Sequence, residues 1–141
     1  MTPQQITLVQ KSFADVKPIA GPAANLFYNR LFTLDPSLRK MFKGDLTAQG
    51  QMLMSMIGAA VMGLSNLEVL APAVRKLGAR HAGYGVRTEH YAVVGSALLW
   101  TLEQGLGSKF TPQVREAWTG AYELLSEVMQ LGAMEEQPML S

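Results

Sequence analysis

Leu77-Gly-Ala-Arg-His-Ala-Gly-Tyr-Gly-Val86 decides how this 141-residue chain folds and what it can hold. His81 follows Leu77 by four residues and Val74 by seven, so the three share one face of a helix. Gly83 and Gly85 would end that helix just beyond the imidazole. One reading is a single coordinate bond from His81 to a flat, apolar, metal-bearing cofactor. The second ring nitrogen would then donate to the carbonyl of Leu77, one turn back. The other reading is a histidine that sits well at a helix C-terminus, where the dipole favours a positive side chain. The stretch alone fits the second reading more often, so the remainder of the chain has to decide.

Composition narrows the field. The chain is 48% hydrophobic and 16% charged, with nine methionines, which suits one folded domain with much apolar surface to hide. A large apolar ligand would account for part of that excess, and so would a methionine-packed core. A net charge of +1 gives no reason to expect nucleic acid or an acidic membrane as partner. The absence of cysteine excludes disulfides, thiolate metal sites and thioether-linked cofactors. The start, MTPQQITLVQ, lacks the basic-then-apolar order of a signal peptide, and Met52–Leu64 is too short to span a bilayer. The expectation is a soluble, cytoplasmic protein.

The punctuation marks helices throughout. Thr2-Pro3 and Thr111-Pro112 read as helix starts. Gly21-Pro22 is expected to separate a first helix, ending near Val16, from a second that runs to Leu34. Asp35-Pro36 caps a short helical segment ending near Phe42, and a longer helix follows from Thr47 to Leu64. Ser65-Asn66 breaks it, Leu67–Leu70 forms a short turn, and Pro72 opens the helix that carries His81. Thr88 caps a helix running to Leu106, and a last helix runs from Pro112 to Gly132. No stretch alternates with strand periodicity, so the class is all-α.

Several segments together carry a family resemblance: Asn25-Leu-Phe-Tyr-Asn-Arg-Leu-Phe32, Asp35-Pro-Ser-Leu-Arg-Lys-Met-Phe42, Leu77-Gly-Ala-Arg-His81, His90-Tyr-Ala-Val-Val-Gly95 and Ala117-Trp-Thr-Gly-Ala-Tyr122. In this order and spacing the chain resembles the globins from Gln5 to Gln130. It is most similar to single-domain bacterial haemoglobins and the haem domain of flavohaemoglobins, and more remotely to neuroglobin. The resemblance implies a globin fold of seven to eight helices around a buried haem b. A globin domain would span residues 1–134, with a flexible tail over 135–141.

By that resemblance His81 is the proximal iron ligand, and Phe42 stacks near the porphyrin. Val86 and Val94 line its proximal side and edge, and Arg80 pairs with a propionate. As residue types alone, Phe42 also fits an ordinary core position and Arg80 a solvated surface. On the distal side the resemblance matches Tyr28 and Gln49 to the residues that face bound ligand, with Leu53 one turn further along. O2 held at ferrous iron carries negative charge on its outer atom, which a phenol O–H and an amide N–H can stabilise as fixed donors. CO carries less and gains less. The alternatives are a Tyr28 bonded to a backbone carbonyl, a Tyr28 that ligates ferric iron, and a Gln49 turned out to solvent. Met52 and Met54 read as packing residues.

Tyr91, ten residues after His81, matches a flavohaemoglobin tyrosine that braces the proximal histidine together with a glutamate. The matching position on the last helix is Ala133, and neither Glu127 nor Glu135 has the right register. A strong electron push toward O–O cleavage is therefore not expected. His90 is expected to face solvent. The implied function is binding of O2, NO and CO at ferrous haem, with high O2 affinity and with nitric oxide dioxygenation as the attached reaction. That reaction would need a separate reductase, so catalysis is left open. A gas or redox sensor acting through a partner is the alternative, and a haem-free interaction module a third. The sequence leaves the oligomeric state open.

Overall fold

The computed structural model describes residues 1–136. Six α-helices follow one another: α1 (Pro3–Val16), α2 (Ala20–Leu34), α3 (Leu46–Gly63), α4 (Leu67–Gly83), α5 (Thr88–Leu106) and α6 (Pro112–Glu136). Short 3-10 segments lie at Lys17–Ile19, Pro36–Met41 and Gly107–Lys109. No strand occurs among the described residues, and none of their helices is long and apolar enough to cross a membrane. The α6 helix runs four residues past Gly132. The expected flexible tail lies, from residue 137 on, outside the described residues.

Local chemistry explains most of these boundaries. Thr2 and Gln5 form a reciprocal capping box: the Thr2 hydroxyl accepts from the Gln5 N–H at 3.1 Å, and the Gln5 side chain accepts from the Thr2 N–H at 3.0 Å. Thr111 caps α6 by accepting from Val114 at 3.2 Å. Asp35 and Asp45 do the same for the segments after them, accepting from Ser37 at 3.1 Å and Thr47 at 2.9 Å.

Three expectations about boundaries are corrected. Gly21-Pro22 lies inside the first turn of α2, where the missing proline N–H costs no bond, and the break between α1 and α2 falls at Lys17–Ile19. Pro72 does not open the helix of His81 but lies within α4, which begins at Leu67. The added turn is anchored by Leu70, whose side chain fills the space beside Gly63 that a Cβ would take. Pro72 and Glu68 are both exposed, so water can satisfy the carbonyl that the proline leaves unbonded. The 3-10 form of Pro36–Met41 and the merging of Leu67–Leu70 into α4 leave six α-helices against the expected seven to eight. Thr88 is the first residue of α5 and not its cap. The cap is instead the buried imidazole of His90, whose Nδ1 accepts from the Arg87 N–H at 2.9 Å. His90 is 7% exposed, so the expectation that it faces solvent is overturned.

The larger core joins Val9, Phe13 and Val16 of α1 to Leu102, Leu106, Ala117 and Trp118, with Val61 of α3 and Leu64 just after it closing it. Trp118 cannot bury its N–H unpaired. It donates to the Ser12 hydroxyl at 2.8 Å, which passes its own proton to the Leu8 carbonyl at 2.7 Å. A second cluster, with Phe27, Tyr28 and Leu31 of α2, Leu38 and Ala97 at its centre, lies toward the other end of α2.

The tightest crossing is between α4 and α6. A Cβ on Gly78 would stand 1.9 Å from the carbonyl oxygen of Met129, and one on Gly132 would stand 1.9 Å from that of Arg75. Two helices thus meet backbone to backbone, in antiparallel register, three residues before His81. Replacing Gly78 or Gly132 by alanine is expected to lower stability by at least about 2 kcal/mol, because backbone on both sides leaves nothing flexible to give way. Urea unfolding of each variant checks this, with Gly83→Ala as a control in open space.

Candidate functional site

His81 lies in the last turn of α4 and is half-buried. Its Nδ1 is 2.8 Å from the carbonyl oxygen of Leu77. A carbonyl only accepts, so Nδ1 carries the proton and Nε2 is left with a lone pair to offer. The helix ends directly after it. The His81 carbonyl accepts from Tyr84 at 3.0 Å and from Val86 at 3.1 Å, a reversal that Gly85 permits with φ +91°. The half-buried Val86 is thereby held close to the imidazole's own helix turn.

Tyr28 occupies the second cluster. It is 5% exposed, with its ring edge-on to Phe27 at 5.4 Å and to Phe42 at 5.3 Å, and stacked on Phe32 at 6.1 Å. None of the described residues supplies its hydroxyl with a hydrogen-bond partner. Burial pushes the phenol above its ordinary value near 10, so it stays protonated and able to donate. The ring is set by the crossing of α2 and α3, where Gly50 packs against Ala24 and against the Tyr28 ring. Leu53, Phe42 and Val94 pack around the same cluster.

Gln49, beside Gly50, does not reach Tyr28. Its amide donates at 3.5 Å to the carbonyl of Lys43, in the loop before α3, a long and weak bond. Met54 packs on the larger core, whereas Met52 is 65% exposed, so the expectation that both are packing residues holds for Met54 alone. Arg80 is exposed.

Tyr91 is buried, and its hydroxyl has no partner among the described residues. Its carbonyl accepts from the Tyr122 hydroxyl at 2.7 Å. Burial raises the phenols of both tyrosines, and for Tyr122 the neighbouring Tyr91 raises it further. Ala133 is half-buried and Glu127 exposed, and the side chain of Glu135 lies outside the described residues.

The structure therefore gathers Tyr28, Phe42, Leu53 and Val94 in one cluster, and Leu77, Arg80, His81 and Val86 at the end of α4. No hydrogen bond or ring contact joins His81 to Tyr28 among the described residues. Phe42, Gln49, Leu53, Leu77, His81, Val86 and Val94 are all half-buried. Five of these seven are apolar and in a plain core would be covered. Behind Leu53 lies a cavity of about 20 Å³, walled by Phe13, Phe27, Ile57 and Leu98. It is dry by its chemistry, since its one hydroxyl, on Thr101, already donates to Ala97.

The family description Globin matches residues 25–129, a span that includes Tyr28, Gln49, His81 and Tyr91. The chain is a globin. It is 34% identical over 132 residues to a flavohemoprotein of Vibrio cholerae, covering 91% of this globin but 33% of that protein. It is 30% identical over 146 residues to neuroglobin-1 of Oncorhynchus mykiss, covering 94% of one and 92% of the other. This globin thus spans about a third of the flavohemoproteins it matches and nearly the whole of a neuroglobin. Among solved structures it superposes with TM-score 0.85 on an engineered carbene transferase derived from an inferred nitric oxide dioxygenase of Rhodothermus marinus. The match covers 96% of this globin and 94% of that chain at 24% identity, and it supports the fold alone.

Phe27, Phe32 and Gly78 were missed as positioning residues in the sequence. Gly78 did leave a signal, because a glycine inside a helix costs about 1 kcal/mol against alanine and calls for a packing reason. The partners of Phe27 and Phe32 left none.

Two measurements follow from the phenols. Tyr28→Phe is expected to leave the stability of the cofactor-free chain unchanged within about 0.5 kcal/mol, because it removes a hydroxyl that bonds to none of the described residues. A tyrosine serving only structure would lose stability, and urea unfolding separates the two. With Tyr28, Tyr91 and Tyr122 all raised, the unfolded chain ionises first as the pH climbs. Their contribution is complete below about pH 10 and lost above it. Unfolding midpoints measured from pH 8 to 12 should be flat and then fall, and Tyr122→Phe should make the fall shallower.

Proposed function

We propose that this globin binds haem b through His81 and takes diatomic gases on the side of Tyr28. The observation that carries the reading is the pairing of two groups without a full set of partners: a His81 whose Nε2 is left to coordinate, and a Tyr28, 5% exposed as a residue, whose hydroxyl has no partner among the described residues. Around them, the half-covered apolar set of Phe42, Leu53, Leu77, Val86 and Val94 is what a planar apolar ligand would finish burying. These residues fit the group that the names of the flavohemoprotein relatives imply for those proteins.

Haem, when bound, would supply an iron able to bind O2, NO or CO. The chain supplies the rest. The Leu77 carbonyl fixes the His81 ring and its tautomer, and Arg80 is free to reach a propionate from the surface. Tyr28 holds a proton donor at a fixed point inside a wall of aromatic rings. Gln49 would have to exchange its weak bond to Lys43 for one toward the ligand, so the O2 stabilisation rests chiefly on Tyr28. That favours O2 over CO and slows its release.

The reaction proposed is nitric oxide dioxygenation, in which NO and O2 give nitrate at the cost of one electron. A separate reductase would supply that electron, and the cytoplasm is where such a pair would work. Tyr91 finds no carboxylate at Ala133, and its hydroxyl has no partner among the described residues. His81 is then braced by a backbone carbonyl alone, which suits ligand binding better than O–O cleavage.

The deciding experiment is an absorption series on haem-reconstituted protein in ferric, ferrous, O2-bound and CO-bound states. Stoichiometric haem with a Soret band that moves with each ligand is expected. His81→Ala should lose the ferrous five-coordinate spectrum and regain it with added imidazole. Tyr28→Phe should release O2 about 10- to 100-fold faster, the equivalent of one hydrogen bond to a charged acceptor, with little change for CO. Equal O2 release from both proteins would remove Tyr28 from the site.

A further inference from the structure

The end of α4 carries a surface of which the proposed haem site uses Arg80 alone. No carboxylate occurs from residue 69 to residue 88, whereas four of the twelve cationic side chains fall within residues 75–87. Lys76, Arg80 and Tyr84 follow at intervals of four, which places them on one helix face about 12 Å long. All three are exposed, and Tyr84 stands out at 68%. Arg87, just beyond, has 75% of its side chain accessible. Its 3.8 Å ion pair with Glu89 is a surface pair of small worth that leaves most of its donors open. The Tyr84 ring lies 6.1 Å from the His81 ring.

An aromatic side chain that is two-thirds exposed, flanked by cations, has the composition of an interface centre. Its ring contact with His81 brings this surface beside the proposed iron ligand. On the helix packed against it the balance is reversed: the described side chains of α6 include three carboxylates, Glu116, Glu123 and Glu127, against Arg115 alone. Such a field turns an acidic partner toward α4 and away from α6 during encounter.

We infer that Lys76, Arg80, Tyr84 and Arg87 form the docking surface for an acidic one-electron reductase of the flavoprotein class. One electron leaves the reduced flavin of the partner and arrives at the ferric haem iron, and no bond is made or broken. This rests on the haem reading above, but the surface itself can be probed without haem.

The probe is flavodoxin, an acidic one-electron flavoprotein, titrated into the isotopically labelled full chain and followed by amide chemical shifts. Shift changes centred on residues 76–87 are expected, with binding at least tenfold weaker at 200 mM than at 20 mM NaCl. Lys76→Glu combined with Arg87→Glu should weaken binding at least tenfold. Lys11→Glu combined with Lys17→Glu changes net charge equally but lies at α1 and should not. On the haem-loaded chain the first pair should slow reduction by flavodoxin at least tenfold and leave reduction by dithionite unchanged. Shift changes centred elsewhere, or equal loss in both double variants, would overturn the docking surface. Failure to take up haem would instead strike the proposed function, and it would appear in the CO spectrum and not in the titration.

Discussion

The crossing of α4 and α6, where Gly78 faces the backbone of Met129 and Gly132 that of Arg75, governs where the chemistry can be. Side chains normally hold packed helices apart, and their size sets the spacing. Here α4 and α6 have none at the crossing, so each helix rests on the carbonyl groups of the other. Two interior glycines together cost about 2 kcal/mol in helix propensity, which close backbone contacts have to offset. The gain is rigidity. His81 is one turn from that crossing, so its depth and direction follow from a backbone contact with no rotamer freedom.

A second close approach does the same for Tyr28. Gly50 lets α3 lie against Ala24 and the Tyr28 ring, and the aromatic group of Phe27, Phe32 and Phe42 holds that ring from the other directions. Both halves of the candidate site are therefore set by glycine-mediated helix crossings, and each leaves one polar group unspent. The imidazole keeps Nε2 because Leu77 has taken Nδ1, and the phenol keeps its proton because its neighbours are rings. Fixed, dehydrated donors and ligands of this kind act strongly because they need no reorganisation when a ligand arrives.

The exit from α4 joins this interior to the surface. The reversal at Tyr84 and Gly85 that ends the helix also turns an aromatic ring outward beside the imidazole. The loop is then closed by His90, buried at the start of α5 and bonded to the backbone of Arg87. Both histidines of the chain thus brace the same short connection, one at each end.

The sequence by itself determined the helical class, the capped starts at Thr2, Asp35 and Thr111, the family, and the Leu77–His81 bond. All of these depend on neighbours within four residues or on a pattern spread along the chain. What lay beyond that range was not legible. Pro72 was misread as a helix start because the contact that stabilises the preceding turn, Leu70 on Gly63, belongs to another helix. His90 was misread as exposed because its burial depends on the packing of α5. Gln49 was legible as a candidate, but its bond to Lys43 depends on the path of a loop. The Gly78–Gly132 crossing lies furthest out of reach. A glycine states only that a Cβ is absent, and what comes to fill the space is decided when α6, more than forty residues on, folds back against α4.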